Sequence, residues 1–292
     1  MRVILSLLLG LLMLSTPAAA QDTILSVRAM TFNVRYHNPD DGVHAWPHRA
    51  DDVAATIAFW NTDVAGLQEV MRDQLDDLSA RLPEYAWLGV GRDDGNDGGE
   101  FSPIFYKRER FAVVDHGTFW LSPTPDQVGS QGWDAALPRI ATWARFRDKA
   151  TDLVFLVLNT HFDHRGEEAR VQSAGLLREQ IQAKVTYGLA KLPVILMGDF
   201  NVTPDHDAYT LLTAASPTPH LYDTRHRAHH PVYGPEATFS GFTVGNESDR
   251  RIDYVFTSAE WGVERYGVLN GHRDGHYPSD HLPVLAELVW IP

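Results

Sequence analysis

The residues of this chain that could do chemistry sit where the surrounding sequence is apolar. Asn33 closes the run Ala29-Met30-Thr31-Phe32, Glu69 follows Val64–Leu67, and His161 follows Phe155–Asn159. Asp199 and Asn201 close Val194–Met197, Asp253 follows Arg251-Ile252, and Asp280-His281 precede Leu282-Pro283-Val284. Polar and ionisable groups at buried strand ends are costly unless they are hydrogen-bonded, paired or metal-bound. One such residue is ordinary; a series of them points to a shared site. Amide and carboxylate oxygens with no cysteine anywhere suit a hard cation, Mg²⁺ first, with Mn²⁺ or Ca²⁺ as alternatives. Asp199 and Asn201 are two apart, so on an extended chain they point the same way and can position a water beside an oxyanion. The two histidines carry protons near neutral pH, and each needs an orienting acid, for which Asp253 and Glu100 are the candidates.

Such residues need elements that gather strand ends. Apolar alternation and β-branched content predict a strand over about Leu25–Tyr36, then a helix over about Arg49–Asn61 with Val53, Ile57 and Trp60 at helical spacing. A buried strand (Val64–Val70), a helix (Arg72–Leu82) and a strand ending at the Gly-rich turn Gly91–Gly99 come next. Phe101–Phe119 reads as a hairpin, Ala141–Arg147 and Leu153–His161 as paired strands, and Glu167–Lys184 as a long helix. Val194–Phe200 has the unbroken apolar character of a strand covered on both faces. Later strands fall near Arg251–Thr257, Gly262–Leu269 and Pro283–Trp290. Strands outnumber helices and the helices fall between them, an α/β pattern that two packed sheets with helices on their outer faces satisfy.

Residues 1–20 read as a secretory signal peptide: Arg2, an apolar run Val3–Leu14, and the small-residue cleavage site Ala18-Ala19-Ala20. The run is shorter than the about 20 residues of a membrane span. The expectation is a secreted or periplasmic, soluble and monomeric protein. Residues 21–292 are long enough for one domain with a full core, and no linker or repeat interrupts them. The absence of cysteine excludes disulfides, thiolate metal sites and cysteine nucleophiles. The leader carries one of the 25 basic residues and no acid, so 24 basic face 38 acidic residues over the rest, a formal charge of −14. Affinity for nucleic acid comes largely from basic patches, and no Lys/Arg run of that kind is present, so nucleic acid enters only as a substrate. No exposed apolar hairpin suggests stable membrane association.

Five blocks, in this order, resemble the endonuclease/exonuclease/phosphatase superfamily: Thr31-Phe32-Asn33, Leu67-Gln68-Glu69-Val70, Gly198-Asp199-Phe200-Asn201, Arg251-Ile252-Asp253-Tyr254 and Ser279-Asp280-His281-Leu282-Pro283-Val284. The resemblance runs from about Ser26 to Val289 and implies a four-layer α-β-β-α sandwich of two mostly antiparallel sheets flanked by helices. It implies that Glu69, with Asn33 and Asp280 nearby, holds a divalent cation. Asp199 and Asn201 would place the attacking water and contact phosphoryl oxygens, and His281, held by Asp253, would contact the phosphate and shuttle a proton. His161 aligns with the second active-site histidine of the deoxyribonuclease branch, where abasic-site endonucleases have a tyrosine. Glu100 falls at the acid that orients it, and Arg139 at a phosphate-binding arginine. The segments Tyr36–Gly42 with Trp46 and Arg49, Phe119–Ser122 with Trp133–Ala136, and Thr160–Arg170 resemble a secreted bacterial branch.

Asp163, His164 and Arg165 read either as the mouth of the site or as a solvated turn capping the helix from Glu167. Trp46, Trp120 and Trp133 read as packing residues, and His226, His229 and His230 as an exposed loop with metal binding as the alternative. The first functional reading is a hydrolase of small soluble phosphate esters, mono- or diester. A secreted nuclease is the second; a sphingomyelinase-like diesterase and a non-catalytic binding module are the weaker alternatives.

Overall fold

The computed structural model describes residues 25–216, 219–245 and 248–291; the expected leader, 1–20, lies outside them. The first sheet contains β1 (Ser26–Asn33), β2 (Val64–Gln68), β3 (Tyr85–Leu88), β4 (Ile104–Lys107), β13 (Trp261–Val268) and β14 (Val284–Trp290), in the order β13-β14-β1-β2-β4-β3. The second contains β5 (Phe111–Trp120), β6 (Ile140–Asp148), β7 (Val154–His161), β10 (Val194–Asp199), β11 (Tyr222–Asp223) and β12 (Asp253–Thr257), in the order β11-β12-β10-β7-β6-β5. A two-stranded hairpin, β8 (Thr186–Tyr187) and β9 (Ala190–Lys191), stands apart. Each six-stranded sheet is antiparallel except for one central parallel pair, β1 with β2 and β7 with β10. The sheets are therefore mostly antiparallel, as expected.

Three apolar layers make this a four-layer sandwich. Val27, Ala29, Val64 and Ile104 of the first sheet meet Phe146, Phe155, Val157, Ile195 and Met197 of the second between the sheets. Helices α1 (Ala50–Phe59) and α2 (Arg72–Arg81) cover the first sheet through Val53, Ile57, Leu75 and Leu78. Helices α3 (Glu167–Lys184) and α4 (Asp207–Leu212) cover the second through Ala174, Leu177, Ile181 and Leu212. Helix α3 starts where its sequence predicts because Glu167 and Glu168 lie in its first turn and Lys184 in its last, both favourable to the helix dipole. Asp134 accepts the free N–H groups of Glu168 and Ala169.

The expected hairpin over Phe101–Phe119 does not form. Strand β4 pairs with β2 and β3, whereas β5 crosses over and pairs with β6 in the other sheet. Arg110 pins the crossing: its guanidinium lies 2.8 Å from Asp63, just ahead of β2, and 2.9 Å from Asp148 at the end of β6. Alternation reports which face of a strand is buried, not which neighbour it pairs with.

A polar seam locks the two sheets in register just below the strand ends. Asn159 donates to the Leu67 and Pro103 carbonyls at 2.7 and 2.9 Å, and its oxygen accepts from Gln68 Nε2 at 2.6 Å. Gln68 also reaches Thr31 Oγ1 at 3.0 Å. Gly66 makes this approach achievable, because a Cβ there would lie 2.5 Å from Asn159 Oδ1. The seam fixes the end of β1/β2 against the end of β7/β10, where the candidate residues stand.

Candidate active site

Strand register places the polar residues side by side. Asp199 ends β10 opposite His161 of β7 on one side and Asp253 of β12 on the other. Asn33 ends β1 in the other sheet, beside Gln68. Glu69 and Asn201 follow their strands in the left-handed region, φ 61° and 52°, as does Arg35 at 58°. That conformation costs a non-glycine residue on the order of 1 kcal/mol or more, and it is tolerated here because it turns these side chains back over the strand ends.

Asp199 is the centre. Its Oδ1 accepts the Asn201 N–H at 2.9 Å. Its Oδ2 accepts from Asn33 Nδ2 at 3.0 Å and lies 3.6 Å from His161 Nε2 and 3.7 Å from His281 Nε2. Burial, and then the Asp253 charge, push its carboxyl up to about 7, against the pull of His281 and of the Asn33 hydrogen bond. His281 Nδ1 lies 2.9 Å from Asp253 Oδ2. Burial alone would lower the His281 pKa, but Asp253, Asp199 and Asp280 around it raise it well above the ordinary value. His161 is driven well below by burial and by the charges of Arg139 and Arg92. The two histidines are thus pushed in opposite directions, His281 towards its charged form and His161 towards its neutral one.

Arg139 reaches the same cavity. Its Nε lies 3.3 Å from Asp163 Oδ2, its Nη2 2.9 Å from His164 Nδ1, and its Nη1 is buried with no partner. A buried N–H without an acceptor is costly, so Nη1 is a donor ready for an anion. The cavity, about 460 Å³, is lined by Arg35, Glu69, Glu100, Arg139, His161, Asp199, Asn201, Asp280 and His281, with Tyr36, His164, Phe239 and Arg250 at its walls.

Three of the expected residues make contacts within the protein that the sequence did not foretell. Asn33 gives its amide N–H groups to Glu69 Oε1 and Asp199 Oδ2, both at 3.0 Å, while its oxygen accepts the Arg35 N–H at 3.0 Å. It bridges the two acids, and its oxygen keeps one lone pair beyond the Arg35 N–H. Glu100 lies 3.9 Å from His161 Nδ1, beyond hydrogen-bond range, and is bonded instead to Arg92 Nη1 at 2.7 Å. Its pKa is raised by burial and by Glu69. His161 Nδ1 is left without a partner. Asn201 Nδ2 serves both His161 Nε2 and the Phe162 carbonyl at 3.1 Å, so its N–H groups are engaged within the protein.

Several supporting residues carried no signal of their own in the sequence. Thr238 Oγ1 accepts the N–H groups of Ile252 and Asp253, and Ser279 Oγ donates to the Asn33 carbonyl at 2.7 Å. Arg49, noted only as part of a motif, is buried and donates to the carbonyls of Val34 and Pro278 at 2.7 Å and of Arg35 at 3.2 Å. Trp46 and Trp120 are packing residues, their indole N–H groups donating to Asp77 and to the Arg92 carbonyl. Of the two readings of Asp163–Arg165 the mouth of the site is supported, since His164 lines the cavity; Asp163 is buried rather than solvated and accepts the N–H groups of Arg165 and Gly166 ahead of α3.

Asp163 gives a stability prediction. Burial raises its pKa, but the Gly166, Arg165 and Ala136 N–H groups and Arg139 outweigh that and hold it at about 2, below the ordinary 3.8. A depressed carboxyl contributes stability that is complete above about pH 5 and is lost as pH falls through about 2. The contribution is about 1–2 kcal/mol after allowance for solvent screening. Thermal melts of Asp163→Asn are expected to show a lower Tm at pH 7 and a shallower loss of stability below pH 4 than the parent.

The donor set also fits a divalent cation. Glu69 and Asp280 are partly buried acids with no Lys or Arg ion pair among the described residues, and burial, with Glu69 adding to it, raises the Asp280 pKa. Two unneutralised oxygen donors at one wall of a cavity suit a hard cation. Asp199, Asp253 and His281, all buried, offer ligand atoms within 4.8 Å of one another and form a second group able to hold a metal.

An acid between two histidines, in a cavity that Arg139 also lines, suits hydrolysis of phosphate ester bonds. The sequence profile of the Endonuclease/Exonuclease/phosphatase family matches residues 30–281, and the chain belongs to that family, whose enzymes depend on a divalent metal. A family protein from Bacteroides vulgatus is 42% identical, with a TM-score of 0.86 over 91% of this chain and 100% of that one. A mannosyl-6-phosphatase from Bacteroides thetaiotaomicron is 39% identical, with a TM-score of 0.85 over 90% of this chain and 100% of that one. Carbon catabolite repressor protein 4 homolog 5 from Arabidopsis thaliana is 25% identical over 277 residues, 88% of this chain. The chain spans only 57% of that relative's length.

Proposed function

We propose that this protein removes phosphate from small soluble phosphomonoesters, phosphorylated sugars foremost, by in-line attack of water. The observation that carries the reading is that Arg139, whose Nη1 has no hydrogen-bond partner, lines the same cavity as Asp199 and His281. That cavity, about 460 Å³, matches a small ester better than a polymer. The acidic balance of the chain supports the same choice. So does its 39% identity to a mannosyl-6-phosphatase.

Each side chain then has a part. Asp199 takes the proton of the attacking water, its carboxyl near 7 being matched to work at neutral pH. Asn201, its N–H groups engaged, offers its oxygen to the same water. His161 holds Asn201 in place through Nε2. His281, cationic and aligned by Asp253, donates Nε2–H to a phosphoryl oxygen, and Arg139 Nη1 donates to another. Donors fixed in advance at the developing charge lower the barrier without reorganising. Glu69 and Asp280 would hold the divalent cation, Mg²⁺ by the all-oxygen donor set, which neutralises charge on the phosphoryl group and the leaving oxygen. Asn33 aligns Glu69 with Asp199, and Arg49 fixes the backbone just after Asn33 and just before Asp280.

Two tests follow. Turnover in ¹⁸O-water is expected to place the label in the released phosphate; label in the alcohol would contradict attack at phosphorus. Arg49→Lys keeps the charge but loses the planar fork over four carbonyls, those of Val34, Arg35, His44 and Pro278. It is expected to weaken Mg²⁺ binding about 10–100-fold, read by calorimetry as well as activity, with circular dichroism unchanged. A nuclease is the second reading, favoured by Tyr36 and Phe239 in the cavity lining, where bases could stack.

A further inference from the structure

We propose that His229, His230 and Glu264 form a surface site for a borderline transition-metal dication such as Zn²⁺, distinct in place and chemistry from the carboxylates of the active-site cavity. His229 Nδ1 lies 3.8 Å and His230 Nε2 2.9 Å from the same oxygen, Glu264 Oε1. The three ligand atoms fall within 4.8 Å of one another. A tetrahedral zinc with bonds of about 2.0–2.1 Å sets its ligand atoms roughly 3.4 Å apart, and the two observed separations bracket that value.

The trio is held by the main chain. His229 N–H donates to the Val263 carbonyl at 2.9 Å and His230 N–H to the Glu264 carbonyl at 3.1 Å, and Ala228 bridges to Val263 in parallel. The histidines therefore run alongside β13, the strand that carries Glu264, and little backbone order remains to be imposed on binding. Among the described residues the ion pairs of Glu264 are with these two imidazoles, while neighbouring Arg265 turns to Glu287. No fixed cation competes for its carboxylate. All three side chains are exposed, 77%, 48% and 45%, which leaves water to complete the coordination.

Donor chemistry separates this site from the cavity. Two imidazole nitrogens and one carboxylate favour Zn²⁺, Ni²⁺ or Cu²⁺, whereas Glu69 and Asp280 offer oxygen alone and favour Mg²⁺. A metal here would tie the segment Ala228–Tyr233 to β13. It would stabilise the fold and leave the reacting groups untouched.

The test is calorimetric titration of Zn²⁺ into the whole protein in saturating Mg²⁺, near pH 7.5. The parent is expected to bind one more Zn²⁺ per chain, at micromolar Kd, than the His229→Ala/His230→Ala variant. Glu264→Gln is expected to weaken that event at least tenfold. Zn²⁺ should raise the Tm of the parent and not of the double variant, and both should keep the same Mg²⁺-dependent hydrolysis. Equal Zn²⁺ stoichiometry in parent and double variant, or no Zn²⁺ bound by the parent, overturns the proposal. The exposure of these side chains makes loss of the fold an unlikely confounder, and circular dichroism of the variants checks it.

Discussion

Asp199→Asn is expected to lower kcat by on the order of 10²–10⁴-fold, the range a general base supplies, with little change in KM. The substitution is nearly isosteric, and its remaining oxygen can still accept the Asn201 N–H that Asp199 Oδ1 accepts. What disappears is the proton acceptor at the meeting point of His161, His281 and Asn33. The same change should leave the Tm of the metal-free fold close to the parent's, because relief of a buried charge is set against a new amide N–H facing Asn33 Nδ2, whose bond to Asp199 Oδ2 is lost. A carboxyl raised to about 7 by burial and by Asp253 is a charge the folded state holds at a cost, and the neutral amide removes that cost. Loss of activity together with a retained Tm separates a catalytic role from a structural one. Residual turnover above a tenth of the parent's would remove Asp199 from the role of base.

His281→Ala is expected to cost about a thousandfold in kcat/KM, or about 4 kcal/mol of transition-state stabilisation. The imidazole lies between Asp253 at 2.9 Å and Asp199 at 3.7 Å, so it is the one cationic histidine donor facing the phosphoryl group. Its loss also strands Asp253, whose Oδ1 is already buried without a partner. The variant should therefore be less stable than the parent, unlike Asp199→Asn. Asp253→Asn, which keeps the imidazole but not its counter-charge, should fall between the two in rate. A drop of only a few-fold in His281→Ala would move the essential proton chemistry elsewhere.

The parts of this site legible in the sequence were those whose polarity conflicts with an apolar strand. Asn33, His161, Asp199 and Asp253 each stand at a strand end, and the parallel pairs β1/β2 and β7/β10 bring those ends together. Glu100 was found by alignment of a loop, and the loop's partner, Arg92, was not; Arg92 holds Glu100 away from His161. Which way an amide is turned is also invisible in sequence. The Arg35 N–H decides it for Asn33, and the Phe162 carbonyl for Asn201. The crossing at Arg110 escaped for a related reason, since its partners Asp63 and Asp148 are far apart in the chain. Thr238, Ser279 and Arg49 act on backbone groups, and such contacts leave no periodic trace.

The central claim is tested most directly by kcat/KM for hexose 6-phosphates, bis(nitrophenyl) phosphate, plasmid DNA and RNA, each with Mg²⁺ and with EDTA. The account predicts Mg²⁺-dependent release of phosphate from a sugar monoester, at least a hundredfold preferred over the diester, with plasmid and RNA intact and all turnover lost in EDTA. Degradation of plasmid or RNA at low enzyme, with the sugar phosphates untouched, would contradict it and make the protein a nuclease.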